Sequence, residues 1–357
     1  EDFGQLLDGV REAIARGVQP TINAQGSSGS YFCRVFDHQS ADIRTVGIFK
    51  PKDEEPYGKL NPKWTKWLHR NCFPCFFGRG CLIPNLGYVS EAAAFLLDRR
   101  LGLNIVPRTE VVYLASPSFY YTRKDRMQSL RHLEAGLPPK QGSFQEFVHG
   151  YMDANRFFAQ CPWIDDDISN GKIAIADAVL PSGSTSPINQ LQWTSELKQQ
   201  FREEVEKLVV LDYLMRNTDR GMDNWMIKVL ATARLHLHIA AIDNGLAFPW
   251  KHPDQWRSYP YGWLRLPRTL LDRPFSERTR KLLLPMLTSR DWWQRTVTEL
   301  RQLFQQDEDF NERMFACQLS VLKGQAWNLV KCLREPAEGP LQLCERVAAV
   351  VIDENVQ

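Results

Sequence analysis

The chain has 357 residues, 43% of them hydrophobic and 24% charged, which is typical of a folded protein large enough for two lobes. A net charge of +2 gives no general attraction to nucleic acid, so no nucleic-acid partner is predicted. No run approaches the roughly 18 apolar residues of a membrane span, and the acidic, amphipathic first residues are unlike a signal peptide, which disfavours a secreted, disulfide-built protein.

The first part of the chain is predicted to form a small lobe with strands. Apolar positions at helical spacing over residues 3–16 predict a helix that lies on a larger body. Small residues over 25–30 adjoin the strand-like runs YFCRVF and TVGIFK, and such a hairpin tip presents backbone N–H groups and hydroxyls to phosphates. A plain flexible turn has the same composition. Lys50 ends the second run, where a kinase places the lysine that pairs with ATP phosphates.

An insertion rich in aromatic and basic residues follows this lysine. Residues 53–62 are polar and broken by prolines, which predicts a surface loop. Residues 63–70 then interleave bases with Trp64 and Trp67. Because rings and cations side by side suit a lipid headgroup interface, the insertion is interpreted as a membrane-docking patch. The alternative is that these rings pack on the lobe itself.

Cysteines cluster at the end of the same insertion. Cys72 and Cys75 are flanked by aromatic residues, a setting that suits S-acylation as a second anchoring signal. His69 with Cys72, Cys75 and Cys81 is a possible zinc knuckle instead, although only one C-x-x-C pair is present. Both interpretations stay open.

The next stretch is predicted to complete the N-terminal lobe. Residues 88–101 predict a helix with Ser90 as its cap, and Glu91 is either a partner for the lysine or simply an acid in the first turn. Residues 105–115 predict a strand, and the basic stretch 117–141 predicts a loop.

The boundary between two lobes is predicted at the apolar run GSFQEFVHG. It divides the chain into an N-terminal lobe, 1–145, that contains the insertion 52–81, and a C-terminal catalytic lobe, 146–357. Residues 161–190, rich in proline, serine, glycine and aspartate, predict a flexible insertion in the second lobe.

The clearest chemical signal lies in LDYLMRNTDRGMDNW and the later AIDNG. Residues 193–215, the longest periodic helix, lead into a loop in which Asp219 and Asn224 have the D-x-x-x-x-N spacing. Asp243 follows a strand-like run and precedes Asn-Gly. Phosphoryl transfer needs a group that orients the attacking hydroxyl and oxygen ligands for magnesium, and kinases take them from these two places. Either motif alone is weak, because Asp and Asn are common in turns.

The residues after Asp243 carry no signal of a protein substrate. No Ala-Pro-Glu anchor or phosphosite is evident there. Rings and cations over 250–263 predict either a second lipid surface or part of the core. Residues 276–350 read as helical segments that complete an α-rich lobe.

Ordered motifs from residue 21 to residue 267 resemble a type II phosphatidylinositol 4-kinase. They are QGSSGSYF, GIFKPKDEEPYGKLNPKWTKW, the Cys-Pro-Cys insertion, GYVSEAAA, NIVPRTEVVYLAS, GSFQEFVHGY, LDYLMRNTDRGMDNW and AIDNGLAFPWKHPDQWRSYP. The resemblance implies an α+β, two-lobed protein-kinase-like fold, with an antiparallel sheet and helices in the N-terminal lobe and a mainly α-helical C-terminal lobe. It implies transfer of the γ-phosphate of ATP to the 4-hydroxyl of phosphatidylinositol, with Mg²⁺, on the cytoplasmic face of Golgi or endosomal membranes.

The resemblance also implies roles for single residues. Asp219 orients or receives the inositol hydroxyl proton, Lys50 contacts ATP phosphates, and Asn224 and Asp243 bind magnesium. Trp256 matches a tryptophan in a membrane-touching loop. The nucleotide is covered by the turn of Ser27, Ser28, Gly29 and Ser30 and held at a hinge that contains Gln145, Phe147 and Val148.

Two departures from the family pattern bear on these expectations. The family's acylated run is Cys-Cys-Pro-Cys-Cys, whereas Phe73 and Phe76 here replace two of its cysteines, and Met222 stands where asparagine is common. Two rival functions are a catalytically silent membrane adaptor and a kinase of proteins or small molecules. Intact Lys50 and Asp219 argue against the first rival, and the absent activation-segment signals argue against the second. The sequence leaves the oligomeric state open.

Overall fold

The computed structural model describes residues 2–24, 29–36, 42–56, 58, 60, 80–131, 136–164, 191–231, 235–253 and 258–351. Several predicted sites lie outside these ranges: Ser27, Ser28, Trp64, Trp67, His69, Cys72, Cys75 and Trp256. Among the helices in the described ranges, none is both long and apolar enough to span a bilayer.

The N-terminal lobe is built on a five-stranded antiparallel sheet with the order β1-β2-β3-β5-β4. Its strands are β1 Thr21–Ile22, β2 Tyr31–Phe36, β3 Ile43–Pro51, β4 Thr109–Leu114 and β5 Lys140–Glu146. Buried and half-buried residues alternate along β2, so one face of the sheet is covered. The predicted first helix is confirmed as α1, Phe3–Ala15, and the Phe3 ring packs edge-on against Phe144 with centroids 5.8 Å apart.

Helix α2, Gly87–Leu101, confirms the predicted helix, but Ser90 is not its cap. Ser90 lies inside the helix, buried, and its hydroxyl donates to the Ala247 carbonyl at 3.4 Å. The Glu55 carboxylate caps the helix instead, because it accepts the N–H groups of Gly87 and Tyr88 at 3.1 and 2.6 Å. The expected surface loop over 53–62 is therefore wrong at its start, where a short 3₁₀ helix, Lys52–Glu54, ends on a buried glutamate and is followed by the buried Glu55.

The basic stretch between β4 and β5 is not the predicted loop throughout. It contains helix α3, Arg123–Arg131, which has no buried residue. The hydroxyl and N–H of Thr122 bond the Asp125 carboxylate at 2.6 and 3.1 Å, and this contact starts the helix.

The C-terminal lobe combines a small sheet with helices. Strands β6 Met152–Asp153, β7 Trp225–Ala231 and β8 Leu235–Ala241 pair antiparallel in that order. The helices are α4 Ala154–Gln160, α5 Ser195–Leu214, α6 Arg268–Leu271, α7 Glu277–Leu287, α8 Arg290–Phe304, α9 Glu312–Arg334 and α10 Pro340–Glu345. The described helix α9 has 23 residues and α5 has 20, so α5 is not the longest. The predicted α+β fold class is confirmed.

Residues 250–263 were expected to form either a second lipid surface or part of the core. Three of them lie in the core. Trp263 is 0% exposed, Tyr261 6% and His252 4%. Tyr261 and Trp263 stack with centroids 4.9 Å apart. These rings are therefore unavailable to a membrane.

Candidate active site

Lys50 stands between two carboxylates that come from different elements. It lies on β3, and its Nζ contacts Oε1 of Glu91 on α2 and, at 3.0 Å, Oδ1 of Asp243 just beyond β8. The Glu91 side chain is 3% exposed, whereas the Asp243 side chain is 57% exposed. The pairing of Glu91 with Lys50 is thus confirmed, and the ammonium is fixed on its buried side while Asp243 faces solvent.

The charges in this cluster support one another. Burial alone would lower the pKa of the Lys50 ammonium, but the carboxylates of Asp243 and Glu91 outweigh burial and raise it above its ordinary value. The Lys50 ammonium in turn holds the pKa of Asp243 below its ordinary value. Lys50 and Asp243 therefore carry their charges at neutral pH.

The backbone after β8 turns so that Asp243 points out. Asp243 has φ of 54°, in the left-handed region that Asp tolerates better than most residues. The next N–H, that of Asn244, donates to Oε2 of Glu91 at 2.9 Å. One carboxylate thus holds both Lys50 and the turn that carries Asp243.

The loop before β7 brings Asp219 and Asn224 together. Asp219 is exposed, and its N–H donates to Oδ1 of Asn217 at 2.9 Å. Nδ2 of Asn224 donates to the Asp219 carbonyl at 2.7 Å, which leaves the Asn224 amide oxygen as a possible ligand. The Ile242 N–H donates to the Asn224 carbonyl at 3.1 Å, so the loop lies directly beside the Asp243 turn.

A buried arginine, which the sequence interpretation gave no role, joins these pieces. Arg220 is 1% exposed, and its Nε bonds both carboxylate oxygens of Asp212 on α5 at 2.9 Å. Its other nitrogens donate to the carbonyls of Asn224 and Ile242 and to Oδ1 of Asn244. The signal was present in LVVLDYL, because an acid inside an apolar helical run needs a buried cation.

The predicted phosphate-covering turn is described only at Gly29 and Ser30. The Gly29 N–H donates to the Glu54 carbonyl at 3.0 Å, and a Cβ at Gly29 would stand 2.4 Å from Oε2 of Glu54. Only glycine fits this close approach. Ser30 is 8% exposed.

The predicted hinge residues have different surroundings. Nε2 of Gln145 donates to Oγ1 of Thr109 at 3.0 Å inside the sheet, which occupies its side chain. The Phe147 N–H donates to the Val46 carbonyl at 2.9 Å. Val148 is half-buried, and its backbone makes no hydrogen bond to another residue in the described ranges. Both backbone groups of Val148 are thus available to a ligand.

A comparison with known families decides the assignment. A sequence model described as phosphatidylinositol 3- and 4-kinase matches residues 27–328, which is most of the chain. The chain belongs to this family. Phosphatidylinositol 4-kinase LSB6 of Saccharomyces cerevisiae is 46% identical over 387 aligned residues, covering 100% of this chain but only 63% of that protein, so the chain spans less than two thirds of it.

Relatives of the type 2 class are similar to this chain as well. Phosphatidylinositol 4-kinase type 2-beta of Danio rerio is 42% identical over 98% of this chain and 69% of that protein. The type 2-alpha protein of the same fish is 42% identical over 98% of this chain and 77% of that protein. The resemblance to type II kinases is confirmed.

Proposed function

We propose that this chain is an ATP-dependent phosphatidylinositol 4-kinase that makes phosphatidylinositol 4-phosphate. The observation that carries the proposal is the convergence of Lys50, Glu91 and Asp243, with Lys50 and Asp243 in contact although 193 positions apart in sequence. The names of its relatives supply the substrate and the position of attack. The Asp219–Asn224 loop beside this cluster supplies the remaining groups for phosphoryl transfer.

Asp219 is proposed to orient the 4-hydroxyl of the inositol ring and to receive its proton. Its exposure gives a substrate access to the carboxylate, while the Asn217 and Asn224 contacts hold its backbone in place. Lys50 is proposed to neutralise ATP phosphates, because Glu91 holds its ammonium at the cluster. Ser27, Ser28, Gly29 and Ser30 are proposed to cover these phosphates with backbone N–H groups and hydroxyls.

Asn224 and Asp243 fit a magnesium ion by the chemistry of their donors. One carboxylate and one amide oxygen are hard ligands, and Mg²⁺ prefers a few protein oxygens together with phosphates and water. Among the described residues no group of three or more His, Cys, Asp or Glu side chains would hold a metal. The remaining ligands are proposed to be phosphate and water oxygens. When bound, the ion neutralises charge on the phosphates of ATP.

The adenine end of ATP is proposed to lie at the hinge. Val148 would offer its backbone groups to the base, and Phe147 a ring edge, since the N–H of Phe147 is used by Val46. Gln145 would act from within the sheet by holding the strand that leads to the hinge.

A membrane partner is proposed because the lipid substrate stays in a bilayer. Trp64, Trp67 and Trp256 are proposed to enter the headgroup region, and Cys72 and Cys75 to carry acyl chains. A Golgi or endosomal location is proposed on the same family resemblance.

The test measures transfer of labelled phosphate from ATP to phosphatidylinositol, with the product's ring position determined after deacylation. We expect wild type to give phosphatidylinositol 4-phosphate and Asp219→Ala to lose about 10²–10⁴-fold in turnover. Asp223→Ala, an exposed acid in the same loop, is the matched control and should keep its turnover.

Two results would overturn the proposal. Equal product from wild type and Asp219→Ala would remove Asp219 from the chemistry. No product from wild type would favour the silent adaptor that the sequence left as a rival.

A further inference from the structure

Helix α3 has an exposed surface that the proposed catalytic machinery does not use. None of the residues Arg123–Arg131 is buried, and four cations against one carboxylate give the helix a net charge of +3. Two large apolar side chains are nevertheless exposed on it, Met127 at 54% and Leu130 at 73%. Exposed apolar side chains that lie among cations combine the two kinds of group that a lipid headgroup boundary accepts.

The residues of α3 fall on two faces of the helix, one toward the lobe and one toward solvent. Asp125 and Ser129, one turn apart, are half-buried, whereas the other residues of the helix are exposed. At 100° per residue Met127 lies opposite these two, with Arg123 and Arg131 on either side of it. The outward face is therefore an apolar centre within a ring of cations.

Hydrogen bonds tie the start of the helix and the segment before it to the lobe. Arg126 donates to the Phe119 carbonyl at 3.3 Å, and the Tyr121 hydroxyl donates to the Pro138 carbonyl at 3.1 Å. The Tyr120 N–H donates to Oε1 of the buried Glu54 at 3.0 Å. The segment before α3 is thus tied to the residues from which the aromatic insertion leaves the lobe.

The strand register places α3 at a particular end of the sheet. Tyr31 pairs with Phe49, Pro51 with Gly142, and Leu114 with Lys140. The phosphate-covering turn, the root of the insertion and the α3 connection therefore all leave the sheet at one end. The strand that leads to the hinge runs to the opposite end.

We propose that the outward face of α3 contacts an anionic lipid bilayer. The inference rests on the proposed function, because a substrate lipid brings a bilayer to this end of the N-terminal lobe. The net positive charge is complementary to anionic headgroups, and Met127 and Leu130 enter the boundary between headgroups and acyl chains. A nine-residue helix is too small for the roughly 800 Å² per partner of a stable protein interface.

The experiment compares sedimentation with phosphatidylcholine vesicles that contain phosphatidylserine and with phosphatidylcholine alone. The charge variant is Arg123→Gln with Lys124→Gln and Arg131→Gln. Each lost cation should weaken partitioning to the anionic vesicles about fivefold, so about 10²-fold for the three together. The apolar variant, Met127→Ser with Leu130→Ser, should weaken it also when salt screens the charges.

A matched control removes three exposed cations of the C-terminal lobe, Lys281→Gln, Arg290→Gln and Arg295→Gln. This control should bind like wild type. Unchanged binding of both α3 variants, or an equal loss in the control, overturns the proposal. A second measurement uses short-chain phosphatidylinositol dissolved below its micelle concentration. Both α3 variants should phosphorylate it like wild type, whereas a wild type inactive on it would overturn the proposed function and leave the vesicle result standing.

Discussion

Glu55 shows how one buried carboxyl can set the pH response of the fold. It is 8% exposed, and burial raises its pKa from 4.5 to about 7 despite the two N–H groups of α2 that it accepts. The folded chain therefore binds this proton more tightly than the unfolded chain. The stabilising contribution is full below pH 4.5 and is lost as the pH rises through about 7.

We expect Glu55→Gln to reduce the pH dependence of stability. Between pH about 5 and about 8 the free energy of unfolding should fall less in the variant than in wild type, by up to about 3 kcal/mol. Urea unfolding across this pH range measures the difference. Glu12→Gln, at an exposed glutamate, should keep the wild-type slope, and a slope unchanged in Glu55→Gln would contradict the assignment.

Residues with a linear motif could be predicted from sequence, and residues defined by distant partners could not. Asp219 and Asn224 stand at kinase spacing, and Lys50 ends a strand, so sequence placed them near one another. Glu55 looked like part of a polar loop because its partners, the first N–H groups of α2, come more than thirty positions later. Arg220 likewise reads as one charge in a polar loop until the fold buries it.

At the scale of elements, Arg220 fixes the loop that contains Asp219 and Asn224 to α5 and to the end of β8. Arg220→Gln would leave Asp212 buried without its cation, so we expect a loss of about 3–5 kcal/mol in unfolding free energy. Urea unfolding is the measurement. Adding Asp212→Asn should restore part of the loss because the unpaired charge is removed.

The exposed Arg265→Gln serves as the control for this loss and should unfold like wild type. If Arg220→Gln were as stable as wild type, the buried pair would not be what holds the loop.

Most elements could be predicted because they bury a face. The spacing of apolar residues in α1 follows the face that it packs against the core, whereas α2 and α5 carry longer buried runs, 88–94 and 208–214. Helix α3 was missed for the same reason, since RKDRMQSLR buries nothing and has no apolar period. A helix that faces solvent carries little signal of its own in the sequence.

On the scale of the whole molecule, the two hydrophobic cores do not follow the order of the chain. Helix α2 comes before β4 and β5 in sequence but packs in the other core. The sheet of the N-terminal lobe and α1 form one hydrophobic cluster, whereas α2 packs with the C-terminal lobe. Trp292 of α8 donates to the Arg100 carbonyl at 3.0 Å, which fixes the end of α2. Glu91 therefore lies on a helix that packs with the lobe that carries Asp243. The boundary between residues 145 and 146 stays a prediction.

Asp307 joins the two lobes away from the hinge. Its side chain is 0% exposed, and Oδ2 contacts Lys52 Nζ at 2.9 Å and accepts the Tyr88 hydroxyl at 2.7 Å. Asp307→Asn keeps the shape but loses the ion pair, so we expect a loss of about 1–3 kcal/mol in unfolding free energy. Amide exchange over residues 305–311 should become faster, and mass spectrometry measures it.

Glu335→Gln, at an exposed glutamate just after α9, is the control and should change neither stability nor exchange. Unaltered exchange in Asp307→Asn would mean that the Lys52 contact does not hold the lobes together.

The strand register places three connections at one end of the N-terminal sheet. The strand β5 runs to the opposite end and continues to Val148. A protein bound to a bilayer by the end with the three connections would keep the Val148 end open to bulk water. ADP would then be exchanged for ATP while the protein stays bound to the bilayer. One binding event would therefore allow many successive turnovers.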